Sequence, residues 1–122
     1  MSTVLIVEDN DKNMKLARDV LQAKGYQTLE AITGEDGVKL AKERKPDLVL
    51  MDIQLPGING IEAFRQIRGD AATRSIPVVA LTASVTPTDR SAINAAGFDA
   101  FISKPINLKE FLDTVKRLVE KK

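Results

Sequence analysis

Asp47-Leu-Val-Leu-Met-Asp52-Ile-Gln-Leu-Pro-Gly-Ile-Asn-Gly60 carries four large apolar residues into a carboxylate and then into turn residues. A short apolar run closed by turn signals reads as a strand buried on both faces. Asp52 therefore stands where a buried strand meets the surface. An ion in that place costs free energy unless a partner compensates it. Asp, Pro and Gly also terminate strands with no further role, so the other strand ends have to decide between the two readings.

Val4-Leu-Ile-Val7 is a second run of the same kind and closes in Glu8-Asp9-Asn10. Ile76-Pro-Val-Val-Ala-Leu-Thr82 is a third, with its proline tolerated at the start, and it closes in a hydroxyl. Tyr26-Gln-Thr-Leu-Glu-Ala31 and Ala100-Phe-Ile-Ser103 mix polar with apolar residues, as suits sheet edges, and Lys104-Pro105 follows the latter.

Helical patterns separate these runs. Over 11–24, Leu16, Ala17, Val20 and Leu21 share one arc, Gly25 is placed to cap, and Met14 at the margin reads as core-edge packing or a partner contact. Thr33 with Asp36 caps a second helix, whose apolar contacts are Val38, Leu40 and Ala41 and which Lys45-Pro46 stops. Pro56-Gly57 signals a turn and Asn59 a cap, and Ile61, Phe64 and Ile67 mark a third helix ending near Gly69-Asp70. Thr86-Pro87 opens a fourth helix over about 87–96, ended by Gly97. Its one large aliphatic, Ile93, predicts weak docking. Asn107 and Glu110 open the last helix, the most clearly amphipathic, with Leu108, Phe111, Leu112, Val115, Leu118 and Val119 on its apolar side and a solvated Glu-Lys-Lys end.

Five strands alternating with five helices define an α/β domain, a (βα)5 unit whose connections are long enough for right-handed parallel crossovers. The apolar strands belong in the centre and the mixed ones at the edges. That gives the order 2-1-3-4-5 of a doubly wound, flavodoxin-like sheet, as one domain over residues 1–122. Parallel strands all finish on one edge, so Glu8, Asp9, Asp52, Thr82 and Lys104 converge there, where such sheets bind ligands. Three acids with one lysine make a net negative pocket, which suits Mg2+ or Mn2+.

The 122 residues contain neither cysteine nor histidine, which removes thiol chemistry, thiolate and imidazole metal sites and the usual serine-hydrolase triad. Lysine plus arginine (18) nearly balances aspartate plus glutamate (17), so a net charge of +1 gives no general attraction to nucleic acid or anionic membrane. The first apolar run is too short for a signal peptide or membrane span, and a cytoplasmic protein is expected.

With Glu8-Asp9, the strand-end Asp52, Pro56 and Gly60 in the next loop, Thr82-Ala83 and Lys104-Pro105 all in order, the chain resembles the receiver domain of two-component response regulators over its whole length. Its wording is most similar to single-domain receivers of the DivK type and to receivers of hybrid histidine kinases. The resemblance implies that Asp52 is a phosphoacceptor and that Mg2+ is held by Asp9, Asp52 and the main-chain carbonyl of Gln54, with Glu8 acting through coordinated water. It further implies that Lys104 pairs with a phosphoryl oxygen and that Thr82 and the N–H of Ala83 bind the product. Phe101 matches an aromatic switch position, although on the residues alone it reads as edge-strand packing. Gln54 and Ser84 match positions that tune phosphoryl lifetime, and the Lys104–Pro105 bond would be cis.

The implied partners are a histidine kinase or histidine phosphotransfer protein, docking near the first helix, and a downstream protein reading the fourth helix, fifth strand and fifth helix. The expectation is a stand-alone monomeric switch with no output domain, which catalyses at most its own phosphorylation and dephosphorylation. A receiver cut from a hybrid kinase would have the same chemistry. An Mg2+-dependent aspartyl phosphohydrolase would need an acid/base carboxylate two residues after its nucleophile, where this chain has Gln54. A flavodoxin-like nucleotide module would need a Ser/Thr/Gly-rich loop where this chain has Glu8-Asp9-Asn10. An unphosphorylated interaction domain usually loses a pocket residue, and this chain retains them all.

Overall fold

Strand and helix alternate throughout: β1 (Thr3–Val7), α1 (Asp11–Ala23), β2 (Gln27–Ala31), α2 (Gly34–Arg44), β3 (Leu48–Asp52), α3 (Gly60–Arg68), β4 (Val78–Thr82), α4 (Pro87–Ala96), β5 (Ala100–Ser103) and α5 (Leu108–Glu120). In the computed structural model the described residues are 2–55, 57–82, 87–104 and 106–120, with the backbone alone described for 87–90. The Pro56 turn, the Thr86 cap, the Lys104–Pro105 bond and the last two lysines lie outside them.

The five strands pair in parallel in the order β2-β1-β3-β4-β5, as the apolar-centre, mixed-edge pattern requires. Register fixes which strand ends meet. Val7 lies opposite Met51, so the next residues, Glu8 and Asp52, leave the sheet side by side. Asp52 lies opposite Leu81, and Thr82 opposite Ser103.

Alternation along each strand divides the core in two. On one face Val4, Ile6, Leu50 and Leu81 meet Met14 and Leu21 of α1 and Phe111 and Val115 of α5. On the other, Leu5, Val7, Val49 and Met51 meet Val38 of α2 and Phe64 and Ile67 of α3. α4 buries Ile93, as its composition predicts. Side chains cap four helix starts: Asn10 Oδ1 accepts the Asn13 N–H at 3.0 Å and Thr33 Oγ1 the Asp36 N–H at 3.1 Å, while Asn59 Oδ1 accepts the Glu62 N–H at 2.9 Å and Asn107 Oδ1 the Glu110 N–H at 3.1 Å. Each satisfies a donor that the first helical turn cannot.

Two helix faces differ from the sequence reading. In α1 the buried set is Met14, Ala17 and Leu21, with Met14 6% exposed and Leu16 39% exposed. At 3.6 residues per turn Leu16 lies about 200° round from Met14, so choosing Met14 as core turns Leu16 outward. In α5, Leu108 is exposed because it opens the helix at the rim, and Thr114, whose polarity suggests the outside, is buried. The edge of the sheet opposite the strand ends is tied by Asp99, whose Oδ2 accepts from the Val78 N–H at 2.8 Å and from Arg68 at 2.7 Å. Among the described residues no helix is long and apolar enough to cross a membrane.

α2 ends on Lys45, a non-glycine residue in the left-handed region with φ 45 and ψ 64, whose N–H donates to the Ala41 carbonyl. A side chain there crowds its own carbonyl, which glycine avoids. Lys45→Gly is expected to stabilise the fold by about 0.5–1 kcal/mol after allowing for glycine's extra unfolded-state entropy. The denaturation midpoint in urea measures this, and a lower midpoint would contradict the account.

Candidate functional site

The site is built where β1 and β3 end side by side. Asp52, the last residue of β3, is 3% exposed, and Glu8, the first beyond β1, is 1% exposed. Successive residues of an extended chain point to opposite sides, so with Glu8 turned in, Asp9 is exposed at the mouth. One carboxylate oxygen from each of Glu8, Asp9 and Asp52 lies within 4.8 Å of the others.

Lys104 enters from the far side. Its N–H donates to the Thr82 carbonyl at 2.8 Å, extending the β4–β5 pairing one residue beyond the sheet. The side chain then reaches past the end of β4, and Nζ donates to Asp52 Oδ2 at 2.8 Å and to Glu8 Oε1 at 2.6 Å. The second oxygens are held by the main chain: the Gln54 N–H donates to Asp52 Oδ1 at 2.9 Å, and the Asn10 N–H to Glu8 Oε2 at 3.3 Å. Gly60 closes the floor. A Cβ there would run into the Asp52 carbonyl oxygen, so only glycine lets α3 begin against the Asp52 backbone.

One ammonium among three carboxylates leaves the pocket negative. Burial pushes Glu8 up to about 7, the Asp52 carboxyl adds to the rise, and Lys104 opposes it. Burial disfavours the Lys104 ammonium, but hydrogen bonds and charge from Asp52 and Glu8 outweigh it and hold its pKa above the ordinary value. Lys104 thus stays charged, while Glu8 keeps a proton to higher pH than an ordinary glutamate. Three hard oxygen donors with excess negative charge fit Mg2+, which takes carboxylate oxygens at about 2.0–2.1 Å and keeps several waters.

The structure thus brings together Glu8, Asp9, Asp52 and Lys104. Thr82 is buried at the end of β4, Gln54 touches Asp52 through its N–H, and Phe101 is half-buried on β5 beside Ala80. Ala83 and Ser84 lie outside the described residues. The sequence reading missed Asn10, which caps α1 through its side chain and steadies Glu8 through its N–H. An Asn directly before a helical pattern was the available signal.

A parallel sheet of this order, with paired acids beyond β1, an aspartate ending β3 and a lysine beyond β5, defines a flavodoxin-like domain with an aspartate-centred acidic site at its carboxyl edge. The family model for the response regulator receiver domain matches residues 4–116, and the chain belongs to that family. It is a phosphoacceptor of two-component signalling. The polar-differentiation response regulator DivK of Brucella anthropi is 46% identical over 114 residues, covering 93% of both chains. The receiver domain of the sensor histidine kinase PA1611 from Pseudomonas aeruginosa, solved with a magnesium ion coordinated in its active site cleft, superposes with a TM-score of 0.91 at 31% identity over 98% of each chain. The signal receiver domain of a histidine kinase from Syntrophus aciditrophicus gives a TM-score of 0.93 at 31% identity, covering 99% of this chain and 92% of its own.

The Glu8 value above the ordinary 4.5 means that the folded chain binds this proton more tightly than the unfolded chain. The contribution of Glu8 to stability in metal-free buffer therefore falls as pH rises from about 4.5 to about 7 and levels off beyond. Glu8→Gln removes the titrating charge. Its melting temperature with EDTA is expected to exceed wild type at about pH 8, with the excess shrinking toward pH 5. An offset independent of pH would contradict the assignment to Glu8.

Proposed function

We propose that Asp52 takes a phosphoryl group from a partner's phosphohistidine and that the aspartyl phosphate alters the surface offered to a downstream protein. The observation that carries this is the buried Asp52 carboxylate, clustered with Glu8 and Asp9 and held at 2.8 Å by Lys104. One Asp52 oxygen forms the new bond to phosphorus as the phosphorus–nitrogen bond breaks and the imidazole leaves. Asp9, Asp52 and the main-chain carbonyl of Gln54, with Glu8 through a water, would hold Mg2+. When bound, the ion neutralises the transferring oxygens, as expected where two anions must meet.

Lys104 already touches Asp52 and would follow the charge onto a phosphoryl oxygen. The product adds about −1.5 to −2 charges and three acceptor oxygens, a target for the Thr82 hydroxyl and the Ala83 N–H. Movement of Thr82 would make room for Phe101 on the neighbouring strand. The response would leave through α4, β5 and α5, where the sparse apolar content of α4 favours rearrangement. The 46% identity to DivK over 93% of both chains supports a regulator that acts through its receiver, and we read it as cytoplasmic and monomeric before phosphorylation.

A kinase or histidine phosphotransfer protein would dock over α1, where Leu16, 39% exposed, offers an apolar contact.

Acetyl phosphate with Mg2+ followed by intact-mass analysis is expected to add one phosphoryl group to wild type and none to Asp52→Asn. Addition to both proteins, or to neither, would refute Asp52 as the acceptor. Asp9→Ala is expected to lose phosphorylation at low Mg2+, and normal labelling without metal would refute the metal role. Leu16→Glu is expected to slow transfer from a phosphohistidine protein about tenfold or more, as for an interface anchor of about 1.4 kcal/mol, with labelling by acetyl phosphate unchanged. Equal slowing with both donors would remove Leu16 from the docking surface.

A further inference from the structure

We propose that the first turn of α2 is a seat for the loop between β3 and α3, and that Gly34 is the positioning residue on which the seat depends. Gly34 opens α2 and is buried. A Cβ built on it would lie 2.7 Å from Ile58 Cγ1 and 2.8 Å from the Ile58 carbonyl oxygen. A side chain can rotate away from such a contact. The carbonyl is main chain, so any residue larger than glycine pushes the loop itself.

The next residue on each side is also close, here through an exposed side chain that can move. Gly57 has φ +75, and a Cβ there would meet the Glu35 carboxylate at 2.7 Å. The loop therefore rests on α2 through Ile58 on Gly34 and Gly57 against Glu35, and Ile58 also packs on the core face that contains Val7 and Val38. Among the described residues its other anchors include the Gln54 N–H on Asp52 Oδ1, the Gly60 N–H on the Ile53 carbonyl at 3.0 Å, the Ile53 N–H on the Leu81 carbonyl at 3.0 Å and Leu55 packed on the core. A short loop held at Ile58 and at Gln54 transmits a displacement from one to the other. Glycine is also a poorer helix former than alanine, so helix stability alone would favour alanine at 34, and the contact with Ile58 is what alanine cannot meet.

The functional consequence rests on the proposed Mg2+ site, in which Gln54 supplies a carbonyl. Gly34→Ala is expected to weaken Mg2+ binding about tenfold, the scale seen when groups supporting metal ligands are disturbed. Val115→Ala, a truncation in the core on the other face of the sheet, is expected to lower the melting temperature while leaving Mg2+ affinity within about twofold, since it moves no group near the ligands. Two-dimensional NMR of the metal-free proteins reads the seat directly: the Gln54 and Gly60 amide signals shift in Gly34→Ala and stay in place in Val115→Ala. Unshifted signals in Gly34→Ala overturn the seat. So does unchanged Mg2+ affinity in Gly34→Ala when wild type binds the ion. A wild type that binds no Mg2+ refutes the metal site instead, and the amide signals then decide the seat alone. If Gly34→Ala does not fold, Ile58→Ala loosens the same contact from the other side and is expected to shift the same two amides and weaken Mg2+ binding.

Discussion

The structure is organised by a single electrostatic problem, three carboxylates within 4.8 Å of one another at the edge of an apolar sheet with one lysine to offset them. Burying a charge pair seldom adds net stability, because desolvation consumes most of the Coulombic gain. Two nearly inaccessible acids sharing one ammonium are worse placed than a simple pair. Such a cluster has to be supported by interactions elsewhere in the fold, and the two core faces, packed from α1 and α5 on one side and α2 and α3 on the other, supply them.

The rest of the architecture is arranged around holding that cluster in place. β1 and β3 are central and in register, so their ends cannot separate without breaking the sheet. Lys104 is brought in by backbone pairing of β5 with β4, so its reach is set by main-chain geometry as well as by side-chain torsions. Main-chain N–H groups of Asn10 and Gln54 take the remaining carboxylate oxygens, and Gly60 brings α3 against the strand end. A pocket kept negative by rigid elements is suited to a cation, whose arrival would offset the repulsion among the carboxylates.

Much of this is legible in the sequence, because its causes are local or periodic. Apolar runs with polar ends give strands and their central or edge rank, Asn and Thr before helical patterns give caps, and parallel topology brings the strand ends to one side. The errors occur where local pattern is ambiguous. Leu16 and Met14 are both apolar and both near the arc of α1, and periodicity cannot choose between faces about 200° apart when each contains an aliphatic residue. Leu108, expected on the apolar side, is exposed and Thr114 is buried because burial depends on what lies opposite, which a single helix does not contain.

The sequence by itself determined the fold class, the strand order and the set of residues that meet, since these follow from hydrophobic period, turn chemistry and the one-sided ends of parallel strands. Only the tertiary structure decided how they meet: Glu8 buried and Asp9 exposed, Lys104 shared between Glu8 and Asp52, and Gly34 under Ile58. Those outcomes depend on register, on desolvation and on ångström-scale contacts between segments far apart in the chain. Such quantities arise from the packed whole and have no local signature for a sequence to carry.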